Sequence, residues 1–318
     1  MTRSGRIAIF VVKIAITAGL LWFALRNLEF SEVVAQMASA NWGFAALAIA
    51  VLAAQPAIGA LRWFVVMRHM GAGISLSQSV RLTYISTLLN QILPGGVGGD
   101  AVRMWLAFRE GYQISQALNG VALDRILGLA TLLAGASVCV VALDRYEELK
   151  ALERALVPLA LLAIAGLGVL MALDRSPAAL QRFRSVRALG YLAKDARRLF
   201  LSASAMPAVL ALALLGHINL CSSLFLFALA FNVPLGAWLL AAAVPPVILA
   251  SSIPVSVGGW GTRETAMVAL MGALSAPAES AVVASIAFGI SGILISLPGA
   301  FFISGSLRKP AAAGAESR

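Results

Sequence analysis

Eleven residues, Leu93-Pro94-Gly95-Gly96-Val97-Gly98-Gly99-Asp100-Ala101-Val102-Arg103, return as Ile253-Pro254-Val255-Ser256-Val257-Gly258-Gly259-Trp260-Gly261-Thr262-Arg263. Pro, Val, the Gly pair and Arg align at one offset, since 254 − 94 and 263 − 103 both give 160. Each copy interrupts an apolar region with a helix breaker, glycines and a charge. Backbone groups freed inside hydrocarbon must find partners, so such breaks persist only where protein or a water-filled cavity covers them. The repeated break therefore predicts a polar feature at the centre of whatever the apolar segments build.

Those segments are membrane spans. Charged residues make up only 12% of the chain and hydrophobic ones 60%, where soluble domains carry about 25% charged residues. Apolar runs long enough to cross a bilayer fall at Ile7–Leu25, Trp42–Leu61, Leu118–Leu143, Ala155–Leu173, Met206–Phe231 and Ala281–Ile303. Shorter pieces, Leu76–Leu93, Ala101–Phe108, Trp238–Ile253 and Thr265–Leu274, flank the breaks. The first run follows a basic start but has no small-x-small cleavage site, so it reads as a retained span rather than a signal peptide. Cys139 and Cys221 lie in apolar spans without ligand spacing and read as core residues. No metal or other cofactor is expected.

The net charge of +10 is not spread as a nucleic-acid surface would be. Asp174–Arg198 concentrates Arg175, Arg182, Arg184, Arg187, Lys194, Arg197 and Arg198, whereas Arg26–Ala40 and Asp144–Arg154 are near neutral or acidic. The positive-inside rule then places this loop in the cytoplasm. Arg3 and Arg6 put the N-terminus there, and Arg308 and Lys309 the C-terminus. The basic stretch reads as a solvated loop, with an amphipathic helix on the anionic leaflet as the alternative. Arg62-Trp63 reads as a membrane-edge anchor, with Arg62 reaching a head group as the alternative, and His69 as interfacial.

Following the spans from an inside N-terminus, those that precede the two breaks run in opposite directions. The expected architecture is all-α: a polytopic bundle of about six full spans plus two re-entrant broken-helix hairpins in an inverted repeat. One transmembrane domain covers 1–318, with repeat halves 42–143 and 206–303 joined by a basic cytoplasmic loop at 174–205. A plain zigzag of full spans is the rival.

Pro94 and Pro254 end their helices by removing a donor, and the restarting helices aim free N–H groups and a positive dipole end into the gap. Arg103 and Arg263 fall in the first turn of those helices, where guanidinium groups suit a phosphate. The expected substrate-binding residues are Asp100, Arg103, Asp124, Arg125, Arg263, Glu264, Asn90, Gly98, Gly99, Gly258 and Gly259. Asp124 and Arg125 qualify as charges at membrane depth, with a snorkelling or buried Asp–Arg pair near the cytoplasmic edge as the alternative; Asn90 either caps the broken helix or lines the cavity. The alternative is purely structural, with Arg103 bridging Asp100 and Arg263 bridging Glu264. His217 reads as a hydrogen-bonded packing residue, with a proton relay as the alternative.

Asn90 to Arg103, Asp124-Arg125, Arg62-Trp63 and Ile253 to Glu264 together resemble the flippase-like transmembrane region of lysylphosphatidylglycerol synthases. The resemblance spans nearly the whole chain. It implies lipid translocation, with Asp100, Arg103, Asp124, Arg125, Arg263 and Glu264 at matching motif positions. The 318 residues include no soluble aminoacyltransferase region, so synthesis of the aminoacylated lipid is not expected.

The leading expectation is a flippase of the bacterial inner membrane that carries a polar-headed, phosphate-bearing lipid between the two hairpins, without being an enzyme. No P-loop pattern is present, so direct ATP coupling is not expected. One alternative is a non-catalytic membrane partner of a lipid-pathway enzyme. The other is a membrane-embedded head-group enzyme, for which Asp124 and Glu264 are the only candidate bases.

Overall fold

The computed structural model describes residues 3–26, 29–93, 98–143, 146–175 and 184–308. The expectations for Pro94, Gly95 and Gly96, and for Asp144, Arg182 and Lys309, fall outside them. The described chain is an all-α membrane bundle. Five helical stretches are long and apolar enough to cross a bilayer: Trp42–His69, Ile114–Val141, Glu147–Ala172, Ala205–Ala230 and Glu279–Ile303.

In chain order the helices are α1 (Arg3–Leu25), α2 (Phe30–Ala38), α3 (Trp42–Ala53), α4 (Gln55–His69), α5 (Leu76–Ile92), α6 (Gly98–Arg109) and α7 (Ile114–Val141). Then come α8 (Lys150–Ala172), α9 (Arg184–Phe200), α10 (Ala205–Ala230), α11 (Ala237–Ser251), α12 (Thr262–Ala273), α13 (Glu279–Ser296) and α14 (Pro298–Arg308). Local chemistry sets their ends. Asn41 accepts from the Gly43 and Phe44 amides to start α3, and a Ser75–Gln78 capping box starts α5. Pro56 and Pro298, lacking an N–H, divide two long spans into α3–α4 and α13–α14.

The span expected at Trp42–Leu61 thus continues to His69, and this changes two assignments. Arg62 and Trp63 are not edge anchors: Trp63 is 0% exposed, and Arg62 points into the bundle. His69 bonds to the Arg198 carbonyl at 3.0 Å.

α3–α4 and α10 pack antiparallel at the centre. The Asn41 amide donates to the Ala230 carbonyl (2.8 Å), the Ser223 hydroxyl to the Ala48 carbonyl (2.9 Å), and the Asn219 amide to Gln55 Oε1 (2.9 Å). α5 and α6 double back as a hairpin, closed at its open end by the Arg81–Glu110 ion pair and the Tyr112–Gln78 hydrogen bond. α11 and α12 make the second hairpin, packing Val244, Val247 and Ile248 with Met267 and Met271. A separate core of Trp63, Met67, Leu82, Ile85 and Leu106 fills the first.

The basic stretch is not only a solvated loop. α9 docks Ala196, Leu199 and Phe200 on Val66, Leu123 and Val209, and Asn119 Nδ2 donates to Asp195 at 2.7 Å. Leu161, Leu162 and Ile164 on α8, like Val11, Val12 and Ile14 on α1, face outward. Apolar side chains exposed in this way suit hydrocarbon, not water.

Candidate functional site

The end of α5 meets the second break. Gln91, at the end of α5, lies so close to the second break that a Cβ on Gly258 would come 3.1 Å from its Oε1. Behind the junction is a cavity of about 420 Å³, walled by Gln55 and Arg62 of α4, Asn90 and Gln91 of α5, Asp124, Arg125 and Gly128 of α7, and His217 of α10. Ser251, Ser252, Pro254, Ser256, Gly258 and Gly259 close the opposite side.

The α5–α6 break is held by side chains. Asn90 Oδ1 accepts the Gly99 amide at 2.8 Å, so Asn90 both caps the restarting helix and lines the cavity. Gly98 and Gly99 are helical here. A Cβ on Gly99 would collide with the Ser86 carbonyl, and one on Gly98 with Leu93. Glycine is required for close approach, and this approach brings Asp100 beneath α7.

Five charges converge there. Arg62 Nε and Nη2 bind the two oxygens of Asp124 at 2.6 and 3.3 Å. Arg103 Nη2 lies 3.1 Å from Asp100 Oδ1 and 3.6 Å from Asp124 Oδ2. Arg125 Nε reaches Asp100 Oδ2 at 2.6 Å, and Ser86 donates to Asp100 Oδ1 at 3.3 Å. Neighbours in sequence therefore pair crosswise: Asp124 with α4 and α6, Arg125 with α6. Three guanidinium groups face two carboxylates, leaving one positive charge. Arg103 is buried with its guanidinium 4.8 Å from the Trp63 ring centre. Arg125 is the accessible cation, its side chain 46% exposed, and with only Nε engaged by Asp100 its terminal Nη groups are available. The Arg62 guanidinium lies against α7 at Gly128, where a Cβ would be in ordinary contact with it.

The second break is built differently. Gly258, Gly259 and Gly261 have φ of 59°, 78° and 83°, a left-handed run that disfavours side chains. Glu264 Oε2 reaches back to the Gly261 amide at 2.7 Å. Its Oε1 takes Arg263 Nη2 at 2.7 Å, Arg263 Nε at 3.1 Å and the Ser285 hydroxyl at 2.8 Å. The Arg263 guanidinium also lies 5.2 Å from the Trp260 ring and 5.3 Å from Phe288. This unit is neutral, buried and hydrogen-bonded.

Of the residues expected at the site, the structure brings Asn90, Asp124, Arg125, Gly258 and Gly259 to the cavity wall. Asp100 and Arg103 stand behind it as ion-pair partners. Gly98 and Gly99 shape it from the α6 side, and Arg263 and Glu264 sit apart. The pairings that the sequence leaves open as structural, Arg103–Asp100 and Arg263–Glu264, both form. Arg62, like His217, is a wall residue that the sequence reads first in another role. Its signal was a cation placed, like Asp124, within an apolar helix. His217 Nε2 lies 2.9 Å from both the Gly128 carbonyl and the Thr131 hydroxyl. The carbonyl can only accept, so Nε2 carries the proton, and Nδ1 has no hydrogen-bond partner among the described residues. Among the described residues no group of three or more His, Cys, Asp or Glu is arranged to hold a metal.

Residues 10–299 match the family described as lysylphosphatidylglycerol synthase TM region. The chain belongs to this family. The match takes in both hairpins, the charge network and α10, and it links the lysylphosphatidylglycerol synthase transmembrane fold seen here to lipid modification or flipping. No curated protein matches the chain.

Proposed function

We propose that this protein carries a lipid with a phosphate-bearing polar head group across the bacterial inner membrane, without chemical conversion. The head group passes through the cavity between the hairpin tips while the acyl tails stay in the bilayer. Both hairpins are re-entrant, the halves are an inverted repeat, and both termini are cytoplasmic. α6 and α12, twelve residues each, support this: at 1.5 Å per residue they extend about 18 Å, against a hydrocarbon core of roughly 30 Å. The antiparallel packing of α3–α4 on α10 supports the inversion.

The observation that carries the reading is the surplus positive charge on the cavity wall. Arg125, with Arg62 beside it, offers directed donors to a phosphate, and Asn90, Ser251 and Ser252 offer neutral partners to the rest of the head group. Asp100 and Arg103 position these groups. Such a junction of broken helices is a common build of membrane transporters.

The test is translocation of a fluorescent phosphatidylglycerol in vesicles holding the purified protein, followed by quenching from outside. Wild type should accelerate it, and Arg125→Ala should lower the rate about tenfold or more, as expected for a lost charge-assisted contact, with folded yield unchanged. Wild-type vesicles no faster than empty ones would refute the proposal.

A further inference from the structure

Arg263 is neutralised by Glu264, so the second hairpin presents no cation of its own to the cavity. A cation reaches that side from another element. Lys13 is the eleventh of the 23 residues of α1, between the outward-facing Val12 and Ile14. Its ammonium donates to the carbonyl of Pro254 at 2.9 Å, and Pro254 is part of the cavity wall. Four residues on, the Thr17 hydroxyl accepts the Val257 amide at 3.0 Å. α1 thus supplies one donor and one acceptor to backbone groups that the break leaves bare.

That latch does not by itself call for a charge. A carbonyl needs one neutral donor, whereas an ammonium at this depth is costly and marks function by default. No carboxylate pairs with Lys13 among the described residues, and Pro254 takes only one of its three N–H donors. We infer that Lys13 is the anion-binding group of the second break, taking the phosphate of a net-anionic lipid head group, one with no cation of its own to neutralise it, handed on from Arg62 and Arg125. This rests on the translocation reading and supplies its second station. The symmetry of the sequence assigns that station to Arg263; the structure puts the available cation on α1, outside both repeats.

The test uses the purified full chain in a neutral detergent, with short-chain fluorescent phosphatidylglycerol and phosphatidylcholine as probes. Lys13→Arg should bind phosphatidylglycerol nearly as wild type does. Lys13→Gln, which keeps a donor for Pro254 without the charge, should bind it about tenfold or more weakly, with phosphatidylcholine unchanged. Lys13→Gln equal to wild type, or an equal loss for both lipids, overturns the inference and leaves Lys13 a structural latch. Displacement of the probe by inorganic phosphate at matched concentration overturns the lipid assignment. Lys13-dependent binding without translocation in vesicles would remove the transport reading alone. Wild-type translocation in Lys13→Gln removes this one alone.

Discussion

The two hairpins share a sequence motif and use it for different physics. In the first, Gly98 and Gly99 are helical and small because α5 and Leu93 press against them. In the second, the glycines adopt positive φ to turn the chain. In the first, the motif arginine joins a five-charge network spread over α4, α6 and α7, which leaves one cation over. In the second, it closes on the adjacent glutamate and Ser285, and the charge ends there. Equivalent letters give one motif arginine, Arg103, that joins a network ending in the exposed Arg125 of α7, and one, Arg263, whose charge is closed off where it stands. Symmetry of sequence therefore does not imply symmetry of the site.

The contrast breaks most visibly at Asp124. Asp124→Ala leaves Arg62 and Arg103 facing each other without their shared carboxylate, and a buried charge stripped of its partner costs about 3–5 kcal/mol. Thermal unfolding in detergent should show that loss, and a variant as stable as wild type would mean the network is hydrated rather than buried.

The second hairpin gives the converse. Glu264→Leu alone should be destabilising on the same scale. Arg263→Met combined with Glu264→Leu should recover most of the loss, because replacing a buried ion pair by apolar groups is often nearly neutral. The double variant should also keep its translocation rate within about twofold if the pair is structural; a tenfold fall would return Arg263 to the site.

The smallest effects separate the two kinds of glycine. Gly258→Ala imposes the left-handed penalty of about 1–2 kcal/mol, and Gly258→Asn should recover part of it, since asparagine tolerates that region. Gly99→Asn should recover nothing relative to Gly99→Ala, because there the obstacle is the Ser86 carbonyl and not φ. Equal rescue at both positions, read as melting temperature, would erase the distinction.

Much of the fold was legible in order. Apolar run lengths located the long spans, and a proline followed within five residues by a glycine pair located each break, because hydrocarbon forces every backbone group to be satisfied within the chain. Asn90 was readable as a cap, since an amide side chain just before a break has bare N–H groups in reach. The site was less legible. Arg62 and Trp63 look like an anchor when the apolar run is ended at Leu61, yet the helix continues to His69 and buries both. Asp124 and Arg125 look like a pair in sequence, but consecutive helical residues point about 100° apart and find partners on different helices. Lys13 carries a signal, one charge within an apolar run, which gains meaning only once Pro254 is beside it.

The sequence by itself determined that this chain is a helical membrane protein whose apolar segments are broken twice by proline and glycine, since hydropathy and helix breaking are properties of contiguous residues. Only the tertiary structure decided which arginine displays its charge and which is quenched. Five ionisable groups from three helices settle that together through distances of a few ångströms, and no spacing along the chain encodes such distances.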